Sequence, residues 1–74
     1  MFYYLSMNKF AERFKELRIE HGLSRANAAE KLNVSVRLIA YWENGERECD
    51  FDTLIAVAEL FSTSVDYLLG KTEF

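Results

Sequence analysis

The sequence has no proline and holds only three glycines, one cysteine and one histidine in 74 residues. Sheet sandwiches and barrels need many tight turns, which draw on glycine and proline, so this scarcity favours helices. The single cysteine, Cys49, cannot form an internal disulfide, and together with His21 it does not make a zinc ligand set. We therefore expect no metal and no cofactor, and a reducing, cytoplasmic setting.

Long apolar runs are also missing. The segment Met1 to Leu5 is apolar, but it lacks a basic flank and is too short for a signal peptide or a membrane span. No membrane partner is expected. A length of 74 residues allows one domain, and we predict an N-terminal extension over residues 1–6, a domain over 7–70 and a C-terminal tail over 71–74.

The net charge of −3 is unevenly distributed. Residues 1–42 carry +3 and residues 43–74 carry −6. A partner responds to the local sign of charge more than to the total. By itself, however, this pattern is typical of an ordinary solvated surface of mixed charge.

Apolar spacing and capping residues predict five short helices. Their expected bounds are residues 7–21, 25–33, 36–44, 51–61 and 65–69. The expected N-terminal caps are Ser24, Ser35, Asp50 and Ser64. The inward residues expected in helix 4 are Phe51, Leu54, Val57, Ala58 and Phe61.

The second and third helices are separated by only three residues, which predicts a helix-turn-helix pair. The core of the pair is expected to contain Ala29, Val34, Ile39 and Trp42. Along the third helix the step of 100° per residue sorts the side chains into two faces. Leu38, Ile39 and Trp42 are expected to face the core. The outward face is expected to hold Arg37, Ala40, Tyr41 and Asn44, with Val36 at its edge.

From Phe10 to Gly70 the sequence resembles the Cro/cI-type (XRE-like) helix-turn-helix domains of phage repressors and bacterial regulators. The matching segments are FAERFKELRIEHGLS, AAEKLNVSVRLIAYWENGER and LIAVAELFSTSVDYLLG. The resemblance implies a compact all-α, five-helix, lambda-repressor-like domain. Helices 2 and 3 would form its helix-turn-helix, with helix 3 in the major groove of double-stranded DNA.

The resemblance also implies roles for individual residues. Arg25 would contact a phosphate or a guanine edge, and Arg37 would read a base, since arginine pairs bidentately with guanine. For Tyr41, half-buried packing at the helix surface is an equal alternative to DNA contact. For Asn44, the equal alternative is helix capping. The full set of implied DNA contacts is Arg25, Val36, Arg37, Ala40, Tyr41, Asn44 and Arg47.

Two further features concern stability and affinity. Arg18 and Glu43 occupy positions that pair in this family, which implies a structural ion pair. The stretch after helix 3 departs from the family, because residues 46–52 are mostly acidic and include Cys49 near a usual proline position. Ser62 stands where glycine is common. Carboxylates near the DNA backbone would weaken binding by a single domain.

The expected function is transcriptional regulation, as a repressor that binds a palindromic operator as a homodimer. Apolar residues proposed for the dimer contact are Leu60, Tyr67, Leu69, Phe74 and residues 2–5; by helical angle Leu60 falls on the outward side of helix 4. The alternative is a protein-interaction module of antitoxin or antirepressor type that keeps the fold with weak or no DNA binding. An enzyme is not expected, because no nucleophile–base pair, phosphate-binding loop or metal cluster is evident.

Overall fold

The computed structural model describes residues 8–74 and contains five α-helices. They are α1 (Phe10–Glu20), α2 (Arg25–Leu32), α3 (Val36–Glu43), α4 (Phe51–Leu60) and α5 (Val65–Leu69). These residues form no strand, and none of their helices is long and apolar enough to cross a membrane. The predicted all-α, five-helix architecture is confirmed.

Three of the helices start at the serine caps that the sequence predicts. Each serine hydroxyl accepts a hydrogen bond from the amide three residues further on, which would otherwise lack a partner inside the helix. The bonds are Asn27 to Ser24 at 3.0 Å, Leu38 to Ser35 at 3.1 Å and Tyr67 to Ser64 at 3.0 Å.

Asp50 occupies the N-cap position of α4, but its side chain makes no capping bond to a backbone amide. The predicted N-cap position is therefore confirmed, but the predicted capping hydrogen bond from its side chain is not made. The carboxylate instead accepts a hydrogen bond from the Thr53 hydroxyl at 2.5 Å. This bond favours the charged form, so it lowers the pKa of Asp50 below its ordinary value.

The predicted start of helix 1 at Met7 is wrong for the described residues. Asn8 and Lys9 are not helical, and Met7 itself lies outside the described range. The Asn8 side-chain oxygen accepts the Phe10 amide at 3.0 Å. It thereby supplies the acceptor that a preceding helical turn would supply, so α1 begins at Phe10.

All five helices end in the same way. A residue with positive φ follows each helix, and the amide of the next residue donates back to the carbonyl five positions earlier. This is the Schellman motif, which satisfies carbonyls at a helix end. The five residues are Gly22, Asn33, Gly45, Ser62 and Gly70. Four are glycine or asparagine, which tolerate this conformation, and Ser62 is the exception.

Ser62 adopts φ 53° although its Cβ disfavours that region. Replacing Ser62 with glycine is expected to raise the free energy of unfolding by about 0.5–1 kcal/mol, because the relief of backbone strain exceeds the extra entropy of glycine in the unfolded chain. Urea unfolding of the two proteins measures the change. Asn33→Gly is the matched control with a smaller expected gain. A Ser62→Gly protein no more stable than the parent would contradict the strain argument.

The core is built around four aromatic rings contributed by different parts of the chain. Phe10 and Phe14 on α1 meet Trp42 on α3, and Phe61 after α4 packs on Phe14. Their ring centroids are 5.5–5.8 Å apart, and three of the four contacts are edge-to-face, an arrangement that aromatic quadrupoles favour. This cluster fixes α3 against α1.

Two apolar predictions for α4 are wrong. Phe51 was expected to face inward, but it is 83% exposed. Leu60 was expected to face outward, but it is partly buried against the core. Helical spacing gives the direction of a side chain and not the depth of cover above it. The other inward residues of the prediction, Leu54, Val57, Ala58 and Phe61, are buried.

Candidate nucleic-acid interface

The turn between α2 and α3 is closed by backbone hydrogen bonds. Asn33 has left-handed backbone, φ 58°, and the Val34 amide donates to the Ala29 carbonyl at 3.0 Å. Val34 packs partly buried against the core, while Ala29 is fully buried. The turn therefore gives α3 one direction relative to α2.

The inner face of α3 is anchored by Ile39 and Trp42, which are both buried. Leu38 shares this side but is only partly buried, at the edge of the core. The outer face leaves Arg37 and Asn44 exposed. Val36 is 46% exposed at the start of the helix, and Ala40 and Tyr41 are half-buried. The residues predicted for DNA contact on this helix thus share one accessible side.

The backbone and the side chain of Asn44 are engaged differently. It is the C-cap residue of α3, and its amide donates to the Ala40 carbonyl at 3.0 Å. Its side chain makes no hydrogen bond to any of the described residues. The capping alternative therefore involves only the Asn44 backbone, and the amide side chain is available to a ligand.

Arg18, Glu43 and Arg25 form a three-membered ion cluster. Arg18 donates through Nε to Glu43 Oε2 at 2.6 Å and through Nη2 to Oε1 at 3.2 Å. Arg25 donates through Nε to the same Oε1 at 3.1 Å. The Glu43 side chain is only 1% exposed. One buried carboxylate thus joins α1, the start of α2 and the end of α3.

The contact between Arg25 and Glu43 was not anticipated from the sequence, which assigned Arg25 to DNA. The Arg25 side chain is 41% exposed, and its terminal Nη groups make no hydrogen bond within residues 8–74. Arg25 is therefore held by its inner nitrogen, while its outer edge faces away from Glu43. No local sequence signal could reveal this contact, because the partners lie 18 residues apart.

The contacts of Arg13 were also not anticipated from the sequence. Arg13 on α1 is 7% exposed and donates through Nη1 to the carbonyls of Tyr67 at 2.7 Å and Thr72 at 2.8 Å. Its guanidinium lies 4.2 Å from the Tyr67 ring centroid. Tyr67 was expected to be spare for a dimer contact; the structure instead places it half-buried beneath Arg13.

These contacts reduce the positive charge available to a polyanion. Of the nine basic residues in the chain, the three arginines at positions 13, 18 and 25 are engaged by carboxylates or carbonyls. Among the described residues, the basic side chains outside any ion pair are Lys9, Lys15, Lys31, Arg37, Arg47 and Lys71. Only Arg37 and Arg47 of these belong to the predicted contacts.

Near the end of α3, Arg47 lies beside the outer face of the helix. Its guanidinium carbon is 5.0 Å from the ring centroid of Tyr41. A shallow surface depression is lined by Ser35, Arg37, Leu38, Tyr41 and Arg47. Two arginines therefore border one depression beside the outer face of α3.

Cys49, the single cysteine of the chain, lies half-buried after α3. Burial raises the pKa of the Cys49 thiol to about 11, and the nearby carboxylates of Asp50 and Glu48 add to the effect. At neutral pH this cysteine is a thiol rather than a reactive thiolate. Residues 8–74 group no three side chains suited to holding a metal ion.

Comparison with known proteins agrees with this geometry. A helix-turn-helix family model matches residues 14–68. The HTH-type transcriptional regulator ImmR of Bacillus subtilis (strain 168) is 42% identical over 62 residues, which are 84% of this chain and 49% of that protein. The chain spans about half the length of the curated relatives it matches.

Solved structures give the same match. A transcriptional regulator from Listeria innocua superposes with a TM-score of 0.82 and 42% identity, over 86% of this chain and 60% of the other. The P22 c2 repressor in complex with a synthetic operator superposes with a TM-score of 0.80 and 28% identity, over 85% and 96%.

One enzyme also contains a similar unit. Hydroxypropylphosphonic acid epoxidase from S. wedmorenis matches with a TM-score of 0.76 and 31% identity, over 85% of this chain but only 34% of the enzyme. The likeness is therefore to one part of that enzyme, whereas the relatives matched by sequence are named as transcriptional regulators. The chain belongs to the helix-turn-helix family, and its fold is that of XRE-like transcriptional regulators and of the P22 c2 repressor.

Proposed function

We propose that this domain binds double-stranded DNA sequence-specifically by inserting α3 into the major groove. The observation that carries the proposal is the division of this helix. Ile39 and Trp42 anchor it in the core, while Arg37 is exposed on the opposite side. The major groove admits a single helix, and a rigid helix can present its outer side chains to base edges there.

The contacts divide between bases and phosphates. Arg37 is proposed to bind guanine O6 and N7 bidentately, and exposed Val36 to touch a thymine methyl group. Ala40 is small enough to let the backbone of α3 approach the groove. The free Nη edge of Arg25 and the Asn44 amide are proposed to bind phosphates, which position the domain without reading sequence.

A dimer on a palindromic operator is proposed because one helix reads only a few base pairs. Two-fold symmetric proteins bind two half-sites about one helical turn, roughly 34 Å, apart. Exposed apolar residues are candidates for the contact between copies. They are Phe51, Ile55, Leu69 and Phe74; Leu69 and Phe74 belong to the predicted set, whose residues 2–5 lie outside the described range. Sedimentation of the free and DNA-bound protein measures the stoichiometry.

Repression by occupancy is the proposed outcome in the cytoplasm of a bacterium, since a domain seated on an operator blocks polymerase. Selection of bound duplexes from a random DNA pool tests the whole proposal, because it yields the operator and its symmetry together. Absence of any enriched sequence, together with salt-insensitive or absent binding to random duplex, would remove the proposal.

Arg37→Ala is expected to weaken binding to the selected operator by about 1–3 kcal/mol and to relax preference at one base pair per half-site. Competition binding against single-base operator variants measures this. Lys71→Ala is the matched control, because it removes one exposed positive charge in the acidic half of the chain. An unchanged base preference in Arg37→Ala would mean that the reading face lies elsewhere.

The alternative is an interaction module of antitoxin or antirepressor type. It is favoured by the charge of −6 over residues 43–74 and by the engagement of Arg25 with Glu43. Titration of the protein with random duplex DNA at low and at moderate salt separates the two functions. Binding to random duplex DNA that falls steeply with added salt is expected of a DNA-binding domain, whereas an interaction module would leave the amide signals of Arg25, Arg37 and Tyr41 unmoved.

A further inference from the structure

The end of α3 folds back onto its own outer face. Gly45 takes up a left-handed backbone with φ 75° and reverses the chain after the helix. The Tyr41 carbonyl then accepts the amides of Glu46 at 2.9 Å and Arg47 at 3.4 Å. Tyr41 therefore holds the backbone of the segment that carries Arg47.

The ring of Tyr41 meets the same segment through its side chain. The Arg47 guanidinium carbon lies 5.0 Å from the ring centroid, within the range of a cation–π contact. Tyr41 is half-buried, so packing limits its ring, whereas Arg47 is exposed. The ring acts as a platform that restricts an otherwise free arginine.

Nearby carboxylates do not form an ion pair with Arg47. Glu46 and Glu48 flank Arg47 in the sequence, yet no carboxylate of the described residues lies within 4 Å of its guanidinium nitrogens. Glu48 is occupied elsewhere, since its Oε2 accepts a hydrogen bond from Asn8 Nδ2 at 3.0 Å. A cation on an aromatic face keeps its N–H donors free for a phosphate, and a cation in an ion pair does not.

We propose that Tyr41 is a positioning residue that holds Arg47 for a DNA phosphate, and that it is not itself a base-reading residue. The inference rests on the proposed DNA binding. Arg37 and Arg47 border the same depression, so the proposed base contact and the proposed phosphate contact lie on one surface of the domain. Arg47 covers the face of the Tyr41 ring, so that face is not offered to a base.

The first test needs no DNA. Protons on the Arg47 side chain that lie over the Tyr41 ring are expected to resonate upfield because of the ring current. The shift should persist in Tyr41→Phe and disappear in Tyr41→Leu, with amide spectra showing that each variant is folded. Side-chain shifts of Arg47 that are the same in Tyr41→Leu and in the parent would overturn the contact, whatever the protein binds.

The second test is a double-mutant cycle on binding to a fluorescent random-sequence duplex. Tyr41→Leu is expected to weaken binding about two- to fivefold when Arg47 is present, which is the effect of an exposed cation–π contact. It should have no effect in the Arg47→Ala background. Arg47→Ala should also reduce the slope of log affinity against log salt by about 0.9, the value for one phosphate.

Tyr41→Phe is the control for the aromatic ring, and Lys71→Ala is the control for the loss of one exposed positive charge. Tyr41→Phe keeps the ring and loses the hydroxyl, so its affinity should stay within about twofold of the parent. A loss in Tyr41→Phe equal to that in Tyr41→Leu would assign the effect to the hydroxyl and overturn the inference, as would a Tyr41→Leu loss that survives in the Arg47→Ala background. If the parent protein itself binds no duplex at low salt, the proposed function fails, and the ring-current result still decides the contact.

Discussion

Arg18→Met is expected to lower the free energy of unfolding by about 3 kcal/mol, a large share of the stability of so small a domain. The Glu43 side chain is 1% exposed, and Arg18 pairs with both of its oxygens. Removing one partner of a buried pair costs about 3–5 kcal/mol, because a charge stays buried without compensation. Arg25 still donates to Glu43, so the lower end of that range is expected.

Chemical unfolding of a double-mutant cycle measures the coupling. Arg18→Met combined with Glu43→Leu should be more stable than Arg18→Met alone, because no buried carboxylate remains. Arg25→Met is the matched control. It removes an arginine from the same carboxylate at a side chain 41% exposed, so a loss of at most about 1 kcal/mol is expected. Effects of Arg18 and Glu43 that add within about 0.5 kcal/mol would argue against a coupled pair.

The second large effect is expected at Arg13. Arg13→Met should cost about 2–3 kcal/mol, the loss associated with charged hydrogen bonds to partly buried carbonyls. Arg13 holds the carbonyls of Tyr67 and Thr72 and stacks on the Tyr67 ring. Its removal takes the Arg13 donor from the Thr72 carbonyl, leaves the Tyr67 carbonyl with the Gly70 amide at 3.0 Å, and loosens the chain after α5.

Glu73→Gln separates the carbonyl contacts from the ion pair. Glu73 lies 3.6 Å from Arg13, but its side chain is 84% exposed, and such pairs contribute at most about 1 kcal/mol. Its replacement should therefore change unfolding little. Amide exchange gives a local readout, since the Lys9 amide donates to the Leu69 carbonyl and should exchange faster in Arg13→Met. Equal losses in Glu73→Gln and Arg13→Met would place the energy in the ion pair.

The helix boundaries were largely predictable because they depend on near neighbours. The caps Ser24, Ser35 and Ser64 each bond an amide three residues away. Glycine or asparagine at four of the five helix ends takes a backbone conformation that other residues avoid. The start of α1 was misplaced, because the Asn8 side chain replaces a helical turn there. Ser62 could not be assigned from residue type, since serine has no preference for that conformation.

The partners of the arginines could not be predicted in the same way. Arg13 lies 54 and 59 residues from the carbonyls that it binds, and Arg25 lies 18 residues from Glu43. In the sequence each looks like a surface cation on a helix. The pairing of Arg18 with Glu43 entered through the family resemblance and not through spacing. Periodicity likewise misled at Phe51, because it gave the direction of the side chain, whereas the ring is 83% exposed and no element within residues 8–74 covers it.

Residue order alone was enough to predict the five helices, the tight turn between α2 and α3 and the division of α3 into an anchored and an exposed face. These features follow from local hydrogen bonds and from the helical repeat. The packing of the helices set which cations stay outside ion pairs. Three arginines are held by groups that folding brings near them, and Arg47 rests on Tyr41. The reason is physical, since charges select partners by distance in space, and distance in space is set by the packing of the whole core.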